Sequence, residues 1–298
     1  MATIPNDEQL FLTPVLARLL SGSPSMPIGL YHLYKASAAQ LTRLHHEGKS
    51  EKLTKKRLRL LADHDYVAFD ARPTAEYRSP YYYILGNKGV EYVKSLGLPV
   101  SSYYRPSKEV GQSYLHLLHY LGVNDILIAA AILNHQAPEY YLERFMLERD
   151  LAHEPFNALW HGKPYSTVPD LFLDLRQTLS DGRQRSMPII IEHDGATGAE
   201  EVIRKKVHAY SAMIASGWYK QRYGINTITV AFTTCKGEKQ GDKLRAWARE
   251  ELRGEDRSLT SCFLFTSRLC APDPTHLWLA PCWYTPYMED KPVMILGD

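Results

Sequence analysis

Residues 168–175 read VPDLFLDL and residues 187–210 read MPIIIEHDGATGAEEVIRKKVHAY. Each opens on an apolar, β-prone run of the kind that forms a strand covered on both faces. Asp170 stands at the start of the first run, and Glu192 closes the second. A carboxylate ending so apolar a run is costly to bury without a partner. If the two strands are neighbours, both carboxylates meet at one edge of the sheet and repel unless a cation lies between them. A magnesium ion takes one or two carboxylates together with water and phosphate oxygens, and so suits such a pair. The second stretch continues as a helix with Glu200 and Glu201 in its first turn and Arg204, Lys205 and Lys206 beyond, the order that the helix dipole favours.

Working outward, 114–135 (YLHLLHYLGVNDILIAAAILNH) is apolar and periodic, predicting a buried helix or a pair broken near Gly122. Residues 139–154 supply a strand ending in acidic residues. Downstream come a very apolar strand at 226–235, a charged helix at 241–254, and two further apolar runs, TSCFLFTS and LWLAPCWYT. Helix, three strands, helix, strand indicates an α/β core over 114–298.

The first 98 residues have another pattern. Helical spacing appears in 7–22, with Leu12, Val15, Leu16, Leu19 and Leu20 on one face; a second apolar cluster covers 28–37. A third helix falls within 50–65, where Leu53, Leu58, Leu60 and Leu61 are expected to face a core. Lys52, Lys55, Lys56, Arg57 and Arg59 crowd the rest of it. Two β-prone runs and a short helix at 86–97 follow. Three helices and then a hairpin is the order of a winged helix-turn-helix, whose third helix enters the major groove while Lys and Arg neutralise phosphates. Residues 1–100 hold 13 Lys and Arg against 9 Asp and Glu, a surplus of +4 that leaves −2 for the remainder. A basic helix is also an ordinary solvated face, and winged helices that contact protein are the alternative. Residues 99–113, polar with prolines at either side, read as a linker.

The chain's 298 residues suffice for two domains, and 45% hydrophobic content can supply a core to each. With 23% charged residues and a net charge of +2, any anionic partner must be met by a local patch. Cys235, Cys262, Cys270 and Cys282 lack the paired spacing of a zinc site, which points to a reduced, cytoplasmic protein. No apolar run is expected to span a membrane, and the N-terminus lacks the order of a signal peptide. The sequence has no GxGxxG after a strand, no Walker lysine, no GxSxG elbow and no HExxH, which disfavours nucleotide hydrolysis and serine-hydrolase chemistry.

The element order, with PD on one strand and E-x-D on the next, resembles the PD-(D/E)XK nuclease-like superfamily. HYLGVND (119–125), VPD (168–170), IIIEHDGAT (189–197) and KVHAY (206–210), taken together behind a winged helix, resemble the replication-relaxation family of plasmids and mobile elements. The implied fold is α/β, a winged helix-turn-helix followed by a restriction-endonuclease-like domain. The resemblance implies Asp170 and Glu192 as ligands of Mg²⁺ or Mn²⁺, Asp125 as a further ligand, and His119 as an orienting neighbour. The sequence departs from the nuclease pattern at Asp194, where a lysine normally stands. Lys206, four residues before Tyr210, is the implied substitute, with Lys205 as the other candidate; Asp194 becomes an additional ligand. Double-stranded DNA is the expected partner. Three roles follow for the second domain or the chain: a nicking nuclease, a non-catalytic regulator using that domain for homodimerisation or partner contact, or a scaffold binding only protein. A tyrosine nucleophile at Tyr210 is a further reading.

Overall fold

The computed structural model describes residues 26–45, 48, 50–70, 81–110, 114–195, 199–267, 271–287 and 291–296. The helix expected over 7–22 and the turn at 71–80 lie outside them. The chain is an α/β protein whose described residues divide into two compact units, 26–128 and 129–296.

In the first unit, α1 (Met26–Leu33), β1 (Ala36–Ser37), α2 (Ala38–His45) and α3 (Glu51–Asp63) precede a hairpin of β2 (Val67–Asp70) and β3 (Tyr82–Leu85), then α4 (Asn87–Ser95). The three strands form an antiparallel sheet in the order β1-β3-β2. Ser50 caps α3 by accepting the Lys52 N–H at 3.2 Å. Thr54 and Leu58 are the buried residues of α3, and Thr42 Oγ1 of α2 meets Thr54 Oγ1 at 2.8 Å. That register corrects two of the expected core positions: Leu53 is 39% and Leu60 54% exposed, on the side of the helix away from Leu58. Helix α4 sits so close to the hairpin that a Cβ on Gly89 would lie 2.1 Å from the Tyr66 carbonyl oxygen.

Of the stretch expected as a linker, residues 99–110 are described, and they are docked. They contain a helical turn, α5 (Pro106–Glu109); Tyr31 Oη donates to the Pro99 carbonyl at 2.9 Å, and Tyr104 Oη to that of Leu85 at 3.0 Å. Lys35, wholly buried, donates to the Glu109 carbonyl at 3.0 Å and lies 3.3 Å from its carboxylate. The long helix α6 (Tyr114–Ala131) begins in the same unit. Leu117 packs with Tyr82 and Ile84, Gln40 Nε2 donates to the Leu121 carbonyl at 2.6 Å, and buried Asn124 donates to the carbonyls of Leu33 and Lys35. The units therefore divide within α6 and not at 99–113, because one polar side chain and an apolar stripe of this helix complete the first unit. By length and composition Leu115–His135 could cross a membrane, contrary to the expectation, but more than half of that window is buried.

The second unit is built on a five-stranded sheet. Its elements are β4 (Tyr140–Leu147), α7 (Glu148–Leu151), β5 (Phe156–Trp160), β6 (Lys163–Thr167), β7 (Leu171–Thr178), β8 (Gln184–Asp194), α8 (Glu200–Ser216), α9 (Trp218–Tyr223), β9 (Thr229–Thr234), α10 (Glu238–Glu251), α11 (Arg257–Thr260), β10 (Phe263–Thr266) and α12 (Pro274–Leu279). The sheet order is β10-β9-β8-β7-β4; β4, β7 and β8 run as an antiparallel meander, and β8, β9 and β10 are parallel. The crossover between β8 and β9 is the α8–α9 segment, as a parallel pair requires. From Pro188 in β8 and Val230 in β9 every strand residue is buried, which explains their unbroken apolar runs. Between β4 and β7 the chain inserts a separate hairpin of β5 and β6, which sequence reading did not anticipate. Its tip places His161 at φ 47° and Gly162 at φ 76°, the positive pair that two-residue hairpin turns use.

Candidate functional site

Three elements converge at the C-terminal end of β8. Asp170 immediately precedes β7; its Oδ2 accepts the backbone N–H of His193 at 2.7 Å, and its carbonyl accepts that of Glu148 at 3.0 Å. Pro169 before it fixes φ and offers no N–H of its own. Glu192, 2% exposed, occupies β8 one residue before His193. Helix α8 brings Lys206 and Tyr210, one turn apart, to the same carboxylate. Lys206 Nζ donates to Glu192 Oε2 and lies 3.6 Å from Asp170 Oδ1, while Tyr210 Oη donates to Glu192 Oε1. Thr167, at the end of β6, hydrogen-bonds Tyr210 in turn. Thr233 Oγ1 of β9 bonds the Glu192 carbonyl at 3.2 Å and His193 Nδ1 at 3.0 Å.

Two carboxyls against one ammonium leave an excess of negative charge in a place with little water. Burial, and then the neighbouring Asp170, push the Glu192 carboxyl up to about 8, with Lys206 and Tyr210 drawing it back. Burial works against the charged Lys206, but Glu192 and Asp170 outweigh it and hold the ammonium above its ordinary range. Tyr210 is raised by its burial first and by Glu192 second. Glu192 therefore keeps its proton to a higher pH than an ordinary carboxyl does.

The other predicted residues fall as follows. Lys205, with a 65% exposed side chain, pairs with Glu201 at 2.7 Å, so Lys206 is the lysine of the cluster. Asp194, two residues beyond Glu192 on the same side of the strand, accepts from Gln240 Nε2 at 2.7 Å. Asp125 belongs to the first unit, where its carboxylate meets Arg43 at 3.0 Å. His119 lies beside the Tyr120 ring at 6.3 Å. Lys52, Lys55, Lys56, Arg57 and Arg59 are all exposed along α3, with Lys55 engaged to Glu51 at 2.7 Å. Sequence reading missed Thr167 and the His193 backbone as parts of the site. Nothing in a threonine, or in a main-chain amide, marks it before the fold brings the one to Tyr210 and the other to Asp170.

A family model described as replication-relaxation matches residues 30–229, a span from α1 to the first residue of β9 that takes in all four clustered side chains. No curated protein and no solved structure matches the chain.

Proposed function

Because this chain belongs to the replication-relaxation family, whose association is with replication or relaxation of plasmid and mobile-element DNA, we propose that it binds double-stranded DNA through its first unit and acts on it with a nuclease-like second unit. The first unit is read as a winged helix-turn-helix. Its order of helices and hairpin supports this, as does the row of exposed basic side chains on α3, where a recognition helix would meet phosphates. The second unit is read as a PD-(D/E)XK fold: an antiparallel meander, a helical crossover and a parallel fourth strand, with Asp170 immediately before β7 and Glu192 on the adjacent β8.

The observation that carries the enzymatic reading is the convergence of Asp170 and Glu192 on Lys206. The pair fits a hard divalent ion, because its donors are carboxyl oxygens and a bound dication would displace the proton that Glu192 otherwise keeps. Asp170 and Glu192 would hold Mg²⁺ or Mn²⁺, which supplies Lewis acidity and an activated water when bound. The His193 amide fixes the Asp170 carboxylate, and Tyr210 fixes that of Glu192. Lys206, a quarter exposed, is the member that reaches solvent and can meet an incoming phosphate. Supercoiled-plasmid nicking tests this: metal-dependent nicking that disappears in Asp170→Ala and in Glu192→Ala is expected, and its absence with either metal would sink the enzymatic half.

The burial of Glu192 at 2%, with Asp194 where the nuclease pattern has its lysine, favours one other reading. There the same cluster is a structural core and the chain a non-catalytic DNA-binding regulator that pairs with a second copy. Salt-sensitive duplex binding without cleavage would select it.

A further inference from the structure

The hairpin of the first unit carries aromatic rings that its own core does not cover. Val67 pairs with Leu85 and Phe69 with Tyr83 across β2 and β3, so these four share one face. Ala68, Tyr82 and Ile84 share the other and pack with Leu117 of α6. At the root of the first face Val67 and Leu85 are buried. Towards its outer end the cover is lost: Phe69 is 50% and Tyr81 52% exposed, and Tyr83 between them is sheltered. The Phe69 ring stands 5.9 Å from that of Tyr81, edge to face, and 6.0 Å from that of Tyr83. The three rings form one continuous patch, and contiguous exposed apolar surface marks a contact site. Asp70, the carboxylate of the described hairpin, lies on the opposite face and accepts from Tyr82 Oη at 3.3 Å.

The patch borders the basic helix. Burial raises the Tyr83 hydroxyl and the Lys55 ammonium draws it back, which sets α3 beside the rings. Lys52, Lys56 and Arg59, four and then three residues apart, form a stripe along α3. All three are exposed, and among the described residues none of them has an ion-pair partner, whereas Lys55 is answered by Glu51 at 2.7 Å.

Open rings beside a cationic stripe narrow the ligand. The stripe calls for an anion, and a protein partner with only an apolar face leaves it unanswered. An intact duplex satisfies the stripe through its phosphates but presents base edges, not base faces, so it offers nothing flat to Phe69 and Tyr81. A strand leaving a duplex offers both phosphates and bases whose faces are free to stack on aromatic side chains. We infer that the hairpin receives unpaired bases, stacked on Phe69 and Tyr81, at a point where a single strand leaves the duplex held by α3. This rests on the duplex-reading role proposed for α3 and gives it a substrate class, duplex DNA with an unpaired end.

The test uses the full chain and fluorescein-labelled DNA followed by anisotropy: a blunt duplex, the same duplex with a single-stranded overhang, and one whose overhang is abasic and so keeps phosphates without bases. The overhang should tighten binding about tenfold, and the abasic form should lose that gain. Phe69→Ala and Tyr81→Ala should each remove most of the gain and leave blunt-duplex affinity unchanged, while Phe69→Trp retains it. A fluorescent purine analogue placed as the first unpaired base should be quenched by the natural chain and by Phe69→Trp but not by Phe69→Ala. Lys56→Ala should instead weaken blunt and overhung DNA alike and make the salt dependence shallower by about 1. An overhang gain that needs Phe69 but survives Lys56→Ala would uphold the stacking and remove only α3 as the duplex reader. Failure to prefer the overhang, or a preference that persists with the abasic form or in both alanine variants, would overturn the proposal. So would self-association of the natural chain that Phe69→Ala abolishes without any effect on DNA binding, which assigns the patch to a second copy.

Discussion

Lys206 and Tyr210, four residues apart on one helix, donate to the two different oxygens of a single buried carboxylate, Glu192. The spacing is one turn, so both side chains leave the same face of α8. Each has a distinct effect: Lys206 supplies charge, and Tyr210 supplies a donor that cannot itself ionise at neutral pH, being held well above its ordinary range by burial and by Glu192. Glu192 is thereby aligned while Asp170, fixed by the His193 amide, faces the same ammonium.

Removal of the ammonium should be costly because it leaves two carboxyls facing one another. Lys206→Met is expected to lower stability by on the order of 3 kcal/mol, short of the upper end for a wholly buried pair because a quarter of the side chain is exposed. Lys205→Met, one residue away but pairing with Glu201 in solvent, should leave the denaturation midpoint essentially where it is. Urea denaturation of both variants checks the contrast. Equal, small effects would mean that Lys206 does not neutralise the pair.

Tyr210→Phe keeps the ring and deletes the donor. The buried Glu192 oxygen is then left without its hydrogen-bond donor, at a cost of about 1–3 kcal/mol. Because that bond favours the ionised form, the Glu192 carboxyl should also move further above about 8. Denaturation measured against pH reads both effects, and an unchanged midpoint and pH profile would count against the contact.

The Glu192 carboxyl stands near 8 in the folded chain against an ordinary value of 4.5. The folded state therefore holds the proton more tightly than the unfolded state. The resulting stabilisation is full below about 4.5, declines across the interval, and is lost as the pH rises through about 8. Between these limits the slope approaches roughly 1.4 kcal/mol per pH unit for a single proton. Glu192→Gln should flatten that part of the stability profile relative to the natural chain. Superimposable slopes in the two proteins from about pH 5 to about pH 8 would show that the buried proton is not on this cluster.

Much of this cluster was legible in the amino-acid order because apolar runs carry their own ends. Ile189 to Ile191 read as a covered strand with Glu192 near its end and a helix to follow, whereas the choice of Lys206 over Lys205 came from the family pattern of a lysine four residues before a tyrosine. The hairpin at 156–167 was obscure because its burial alternates over only five residues in each strand, with Leu159 exposed against the hydrophobic rule. Leu53 and Leu60 misled for a related reason. Four leucines on a short helix fit several rotations, and the choice between them was made by Thr54 meeting Thr42. The linker was misread because its polar composition is that of a spacer, and its anchor is a lysine, the residue type least expected in a core.

That anchor supports the last prediction. Lys35 is wholly buried; its ammonium donates to the Glu109 carbonyl, lies 3.3 Å from the Glu109 carboxylate, and stands 5.2, 6.0 and 5.9 Å from the ring centres of Tyr34, Tyr82 and Tyr120. These groups come from the α1–β1 turn, the hairpin, α5 and α6, so one cation gathers four segments of the first unit. The rings contribute through their negative faces, and the carboxylate balances the charge. Lys35→Met preserves length and apolar volume but removes the cation. The carboxylate and carbonyl of Glu109 are left without it, and a loss of on the order of 3–5 kcal/mol is expected. The release should be local to the 99–110 segment before it is global, so hydrogen exchange ought to show faster exchange of the α5 amides than of those in α3. If α5 stays protected in Lys35→Met, the other contacts of the segment, those of Tyr31 and Tyr104 among them, suffice to hold it, and the buried lysine is not what converts a polar spacer into part of the fold.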